Sequence, residues 1–200
     1  MKRRVFVVLM MCAVLPLSRL SSQSIVDATS TATIAPNPTD VASVDAIIAA
    51  LYDANTNLVD PKRDADRYRS LFVPGARLMP TSRTPNGKGT IAIETVDDYV
   101  RRATSSPRRH GFSEREIART SEAFGNIMQV FSTYETHLDS ADTHPHRSIN
   151  SIQLFNDGTR WWVVGVIWAV ERPDSPIPTE FLKRSPTARS PVRQSPRASP

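Results

Sequence analysis

The sequence predicts an α+β fold in which three amphipathic helices precede four long strands. Apolar residues recur at helical spacing in the first half of the chain, and the apolar period changes to two after Pro107. Short links between the later segments predict an antiparallel meander. Helices followed by antiparallel strands are typical of a fold whose helices pack on one face of a sheet.

The helices are predicted from their apolar spacing and their caps. The first is placed at residues 41–55. Its apolar residues recur at helical spacing after Ser43, a residue type favoured at the N-cap. A second, short helix carries Tyr68 on its apolar face and ends at residues 73–75, Val-Pro-Gly. Thr95 and Asp98 form a capping-box pattern that begins the third helix.

The strands are predicted from period-two alternation and turn chemistry. A first strand is expected at 76–80, before a loop at 84–89 that is dense in turn formers. The four long strands are expected at 112–124, 127–138, 147–156 and 160–172. Gly125-Asn126 and Asn156-Asp157-Gly158 are typical hairpin turns between them.

The two ends of the chain differ from its middle. Residues 1–24 combine a basic start, an apolar run at 5–17 and a small polar stretch, which indicates a secretory signal peptide. This predicts a secreted or periplasmic protein with no stable membrane anchor after cleavage. Residues 25–40 are expected to form a flexible leader, and the Ser-Pro and Arg repeats of 183–200 a disordered tail.

Cysteine content and charge narrow the class of protein. Cys12, the only cysteine, lies in the predicted signal peptide, so the mature chain would contain neither disulfide nor thiol chemistry. Nine of the 25 basic residues lie in the terminal segments, and the remaining body holds 16 basic and 20 acidic residues. Because the body is mildly acidic, nucleic acid is not the expected ligand.

Four segments carry a resemblance to a known family. They are Ala46-Ile-Ile-Ala-Ala-Leu-Tyr52, Phe124-Gly-Asn-Ile-Met-Gln-Val-Phe-Ser-Thr-Tyr-Glu135, Ile149-Asn-Ser-Ile-Gln-Leu154 and Asp157-Gly-Thr-Arg-Trp-Trp-Val-Val164. In this order they resemble the nuclear transport factor two-like superfamily, and within it exported bacterial SnoaL-like proteins of unassigned function. The resemblance covers about residues 41–182, the size of one domain.

The resemblance implies a cystatin-like α+β roll, in which a cone-shaped curved antiparallel sheet packs on three N-terminal helices around a pocket. It leaves the function open, because one fold hosts many activities. The first hypothesis is a pocket that binds a small apolar molecule bearing a few oxygens. The alternatives are a small cofactor-independent isomerase, cyclase or dehydratase that uses a pocket Tyr and a carboxylate, and a dimeric assembly module that docks a protein partner.

The expected pocket wall mixes apolar bulk with hydroxyls, the usual composition of a ligand site. Tyr134 could donate a hydrogen bond to a ligand oxygen or have its hydroxyl satisfied within the fold. Arg77 could bind an anionic ligand or pair with a neighbouring acid. The pocket candidates are Tyr52, Arg77, Tyr99, Met128, Val130, Ser132, Tyr134 and Trp161.

The last strand is apolar on both faces, which indicates that other parts of the protein or a partner pack against each face. Strict alternation places Trp162 and Trp168 on the same face. We expect that face to pair with a second copy of the chain as a homodimer, or with a partner protein, because a bare apolar patch is costly in water.

Metal and cofactor sites are not expected. His144 and His146 flank one proline in a polar loop, without the partner cluster that zinc sites use. The sequence contains no P-loop and no dinucleotide-binding glycine motif. It also lacks a Gly-x-Ser-x-Gly elbow. Cofactor-independent function is therefore the prediction.

Overall fold

The structure is a computed structural model that describes residues 34–56, 58, 63–105, 112–138 and 143–183. The predicted signal peptide, most of the predicted leader and nearly all of the predicted tail lie outside these described residues. None of the described helices is long and apolar enough to cross a membrane.

The three predicted helices are present, and a fourth, short helix precedes them. The helices are α1 (Pro38–Val41), α2 (Val44–Thr56), α3 (Arg63–Ser70) and α4 (Val96–Ser105), with a final 3-10 helix at Thr179–Leu182. The Ser43 hydroxyl accepts the Ala46 N–H at 3.1 Å at the start of α2. At the start of α4, Thr95 Oγ1 accepts the Asp98 N–H at 3.1 Å and donates to the Asp98 carboxylate at 2.7 Å.

Helix α1 lies within the predicted flexible leader and belongs to the fold. Asp40 is buried, and its carboxylate accepts hydrogen bonds from Arg67 Nε at 2.8 Å and from Arg67 Nη2 at 3.1 Å. Arg67 also pairs with Asp53 on α2. Residues 38–40 of the predicted leader are therefore part of the fold, because this ion-pair cluster fastens the first short helix to α2 and α3.

Seven strands form one sheet in the order β2-β1-β7-β6-β5-β4, with β3 paired to β1. The strands are β1 (Phe72–Arg83), β2 (Gly89–Ile91), β3 (Glu94–Thr95), β4 (Ser113–Phe124), β5 (Ile127–His137), β6 (His146–Asn156) and β7 (Trp161–Val170). The predicted antiparallel meander from β4 to β7 is confirmed. The predicted α+β class is confirmed, but the sheet is mixed rather than antiparallel throughout, because β1 pairs with β7 in parallel.

Strand β1 is more than twice as long as predicted. The Val-Pro-Gly sequence at 73–75 does not separate helix from strand, because α3 ends at Ser70 and β1 already begins at Phe72. The pairing with β7 shifts register between Phe72 and Arg77, and Gly75 adopts φ +82° within this stretch. The strand therefore absorbs the proline and glycine as an irregularity.

A bulge in β7 changes which of its residues face the helices. Leu154 pairs with Val163 whereas Gln153 pairs with Gly165, so Val164 is the extra residue. After this residue the alternation is reversed, and Val166 and Trp168 lie on the same face as Val163. The expectation that Trp162 and Trp168 share a face is therefore wrong, since Trp162 lies on the opposite side.

The inner face of the sheet, which is the face toward α2, is apolar and tightly packed at one end. We call this the closed end and define it by Met128, Val130, Ile152, Leu154 and Val163, each at most 5% exposed. Ile47 and Ile48 of α2 are fully buried in the same core cluster. The other end of the inner face carries polar and aromatic residues.

Candidate functional site

A cavity of about 70 Å³ lies at the second, or open, end of the inner face. Helices α2, α3 and α4 supply one wall, and strands β1 and β4 to β7 supply the other. The lining residues are Leu51, Tyr52, Asn55, Tyr68, Leu78, Tyr99, Glu114, Tyr134, Asn150, Val166 and Trp168. Ligand clefts are commonly about 300–1,000 Å³ in volume, so this hollow is several-fold smaller than a typical ligand cleft.

All four tyrosines of the chain line this one cavity. Tyr68 stacks on Tyr99 with ring centroids 5.6 Å apart, and Tyr99 meets Trp168 edge-on at 6.2 Å. Tyr52 and Tyr134 pack against each other at 5.4 Å. The wall is therefore an aromatic box with a polar atom on each tyrosine ring.

A chain of buried hydrogen bonds runs behind the cavity. Asn150 Nδ2 donates to the Tyr52 hydroxyl at 2.9 Å, and this hydroxyl lies 2.8 Å from Ser132 Oγ. Ser132 Oγ donates to Glu116 at 2.5 Å, and Arg119 holds the Glu116 carboxylate with two further hydrogen bonds at 2.9 and 2.5 Å. Three strands and α2 are thus joined through polar atoms, which we call the Tyr52 relay.

The ionic end of the Tyr52 relay fixes the direction of every hydrogen bond in it. The Glu116 carboxylate, paired with Arg119, can only accept, so the Ser132 hydrogen is given to Glu116. The Tyr52 hydrogen must then be given to Ser132 Oγ, which leaves the Tyr52 oxygen to accept from the Asn150 amide. Tyr52 therefore has no hydrogen left to donate into the cavity.

A second network connects the helices to β4 at the cavity mouth. The Tyr99 hydroxyl donates to Asn55 Oδ1 at 2.7 Å, and Asn55 Nδ2 donates to Glu114 Oε2 at 2.5 Å. Glu114 is half-buried, and its other oxygen accepts from Thr136 Oγ1 at 3.5 Å. This network places a carboxylate in the wall of the cavity.

The tyrosine hydroxyls inside the site are held in their neutral form. Burial raises the pKa of Tyr52 well above its usual value, and hydrogen bonds with Ser132 and Asn150 oppose this only in part. Burial also raises the pKa of Tyr134, and the negative charge of Glu114 raises it further. Both hydroxyls are therefore protonated at neutral pH.

The structure separates the predicted pocket residues into groups. Tyr52, Tyr99 and Tyr134 line the cavity, and Ser132 lies behind it in the Tyr52 relay. The remaining four do not line the cavity. Met128 and Val130 are packed in the closed end, Trp161 lies beside the hairpin turns at 125–126 and 156–158, and Arg77 lies in a crevice beside α3 and α4.

The prediction that Arg77 and Trp161 line the pocket is wrong, and the paths of their strands explain why. The register of β1 pairs Arg77 with Gly165 on the outer face, and the guanidinium donates to the Gly75 carbonyl at 2.6 Å and the Ala76 carbonyl at 3.0 Å. Trp161 begins β7 at the closed end, far along the strand from Trp168. Neither side chain reaches the cavity.

The two predicted partner-face tryptophans have separate roles. Trp168 lines the cavity and is half-buried. Trp162 is 2% exposed, donates from Nε1 to Asp157 at 2.7 Å and lies under the Arg160 guanidinium at 3.5 Å. They do not form one docking surface, and the predicted homodimer stays a prediction.

Sequence reasoning missed two polar residues of the cavity, Glu114 and Asn150. Asn150 interrupts an inward apolar row with Ile152 and Leu154, and a polar residue in such a row is the signal that could have identified it. Glu114 gives no comparable signal, because its strand alternates charged and small residues along most of its length.

Comparisons with known proteins concern the fold. No protein-family model matches the chain, and no curated protein sequence matches it. Similar solved structures include a cystatin-like-fold protein of unknown function from Nostoc punctiforme, with 13% identity, a TM-score of 0.47, and coverage of 63% of this chain and 90% of that one.

Two further solved structures give the same picture. A cystatin-like-fold protein from Caulobacter vibrioides is 12% identical over 66% of this chain and 90% of that one, with a TM-score of 0.47. An NTF-2 like protein of unknown function from Silicibacter pomeroyi is 12% identical over 64% and 99%, with a TM-score of 0.42.

Proposed function

We propose that this chain is an exported, SnoaL-like small-molecule-binding protein whose ligand enters the open end of the inner face. The observation that carries the proposal is the gathering of all four tyrosines, together with Trp168, around one cavity. Aromatic walls with a few convergent polar groups are the usual composition of a ligand site. Export is supported by the signal-peptide pattern of residues 1–24.

The size of the cavity limits how a ligand would bind. A liquid water molecule occupies about 30 Å³, so a hollow of about 70 Å³ takes only a small head group. The rest of the ligand would lie against the half-buried rings of Tyr99 and Trp168 at the rim. We therefore propose a slender, largely apolar ligand with one polar end.

Thermal unfolding with a panel of small amphiphilic molecules tests the proposal. A ligand at about 100 times its Kd stabilises the folded state by about 2.7 kcal/mol, which raises Tm by several degrees. Trp168→Ala should abolish the ligand-induced rise, measured relative to its own ligand-free Tm. Phe124→Ala, at a side chain 85% exposed on the β4–β5 turn, is the matched aromatic control and should retain it. A panel that leaves Tm unchanged in the wild-type protein contradicts the proposal.

A second candidate function is proton transfer by Glu114 together with Tyr134. The observation that favours it is their placement in one cavity wall, where the charge of Glu114 acts on the Tyr134 hydroxyl. The hydroxyl groups of Tyr52 and Tyr99 already donate to Ser132 and Asn55. Fewer hydrogen-bond donors therefore remain in the cavity to stabilise an oxyanion. We therefore favour binding, and turnover lost in Glu114→Gln with ligand affinity retained would reverse that preference.

A further inference from the structure

The Tyr52 relay also determines what Asn150 presents to the cavity. Its Nδ2 donates a hydrogen bond to the Tyr52 hydroxyl, so the amide carbonyl oxygen points away from the relay. Asn150 is only 8% exposed and lines the cavity, and among the described residues none donates a hydrogen bond to its Oδ1. Because every side-chain oxygen that is closed to solvent among the described residues has a hydrogen-bond partner, this oxygen is open to the cavity, where a ligand or water can donate to it.

The charged side chain in the described lining of the cavity is acidic. Among the described residues, its lining includes the Glu114 carboxylate and no Lys or Arg side chain. Arg102 lies 5.2 Å from the ring centre of Tyr99 but is held outside the lining by two hydrogen bonds to Glu94, at 3.0 and 2.8 Å. Arg119 is engaged with Glu116 and Asp45 behind the cavity.

We propose that the head group bound in this cavity is a protonated amine, which donates hydrogen bonds to Asn150 Oδ1 and Glu114. This inference rests on the proposed function, namely that the cavity binds a ligand at all. An ammonium group supplies three donors and no acceptor, which suits the Asn150 carbonyl oxygen and the Glu114 carboxylate. Its positive charge is attracted by the carboxylate and by the aromatic ring faces. A carboxylate ligand would meet an acceptor and a like charge.

Three probes of one shape separate the head-group chemistry. Butylamine, 1-butanol and butyrate share the same four-carbon chain and differ in charge and in donors. At pH 7 the binding of each is followed by NMR titration of the backbone amides and of the Trp168 indole N–H. We expect butylamine to bind at least about tenfold more tightly than 1-butanol and butyrate not to saturate.

Variants assign the preference to the named acceptors. Glu114→Gln and Asn150→Leu should each reduce the preference for butylamine over 1-butanol to less than about threefold. Glu122→Gln removes the same charge from an exposed position of the same strand and should leave the preference unchanged. A circular dichroism melt of each variant verifies folding, and the comparison of the three probes on the wild-type protein does not depend on any variant.

The outcomes separate this inference from the proposed function. If 1-butanol or butyrate binds at the Trp168 indole as tightly as butylamine, the cavity binds ligands and the amine inference is wrong. If none of the three probes binds at millimolar concentration, the amine inference is also overturned. The thermal-unfolding panel then decides separately whether the cavity binds any small molecule.

Discussion

The two ends of the inner sheet face use the same four strands for different purposes. At the closed end, Val130 and Ile152 are paired across β5 and β6 and are completely buried. Two residues further along these strands, Ser132 and Asn150 take the corresponding positions and form hydrogen bonds instead of apolar contacts. A shift of one row thus changes packed core into cavity wall.

This comparison shows how a small domain combines stability with a site. The closed end excludes water and supplies apolar burial, while the open end satisfies its polar atoms through the Tyr52 relay and the Glu114 network. Among the described residues, every side-chain nitrogen or oxygen that is closed to solvent has a hydrogen-bond partner. We therefore expect substitutions at the closed end to affect stability most and those at the open end to affect ligand preference.

The largest expected effect is at the closed end. Ile152→Ala removes a fully buried side chain, and the lost burial together with the resulting cavity should lower the free energy of unfolding by about 2–5 kcal/mol. Urea denaturation followed by tryptophan fluorescence measures the change. Ile91→Ala, at a side chain 51% exposed on β2, is the matched control and should change stability by less than about 0.5 kcal/mol. Equal effects of the two variants would contradict the assignment of the core.

The second prediction concerns the border between the two ends. Ser132→Ala removes the acceptor of the Tyr52 hydrogen and one donor to Glu116, so it should lower the free energy of unfolding by about 1–3 kcal/mol. The control is Ser151→Ala on the outer face, where the hydroxyl accepts one hydrogen bond from the half-buried Gln129 at 2.8 Å. If Ser132→Ala is no more costly than this control, the relay does not contribute to stability.

Local signals in the sequence predicted most of the fold. Ser43 and the pair Thr95 and Asp98 begin their helices as expected, because caps act through near neighbours in the chain. The hairpin turns around Gly125 and Gly158 likewise join the strands that they were expected to join. The parallel pairing of β1 with β7 was not predicted, since it joins segments about ninety residues apart.

The cavity wall was predicted only where strict alternation continues along a strand. Tyr134 and Ser132 lie on the inner face as expected because β5 has no bulge between them. Trp168 was assigned to the wrong face because one extra residue, Val164, reverses the alternation of β7, and the neighbouring Gly165 is a weak sequence signal for such a bulge. The partnership of Asn55 with Glu114 depends on tertiary packing, which sequence spacing does not encode.

The smallest expected effect lies at the β6–β7 turn beside the closed end and is a stabilisation at neutral pH that is lost in acid. Burial opposes ionisation of Asp157, but hydrogen bonds from Trp162 Nε1, Thr159 and the Arg160 N–H outweigh it and hold the pKa of its carboxyl well below the usual value. A lowered folded-state pKa stabilises the protein above the unfolded value of about 3.9, and the benefit is lost as pH falls further. Asp157→Asn keeps one oxygen to accept from the Thr159 and Arg160 N–H groups, but it cannot ionise and cannot accept from Trp162 Nε1.

Wild-type protein should therefore be more stable than Asp157→Asn at pH 7, and the difference should shrink progressively below about pH 4. Urea denaturation of both proteins at pH 7, 4 and 2.5 measures it, with Glu122→Gln as the control for loss of one exposed carboxylate. A stability difference that stays constant over this range would mean that the Asp157 charge does not support the turn. The cost of Asp157→Asn would then come from the lost acceptor for Trp162 Nε1, because an amide nitrogen takes the place of one carboxylate oxygen.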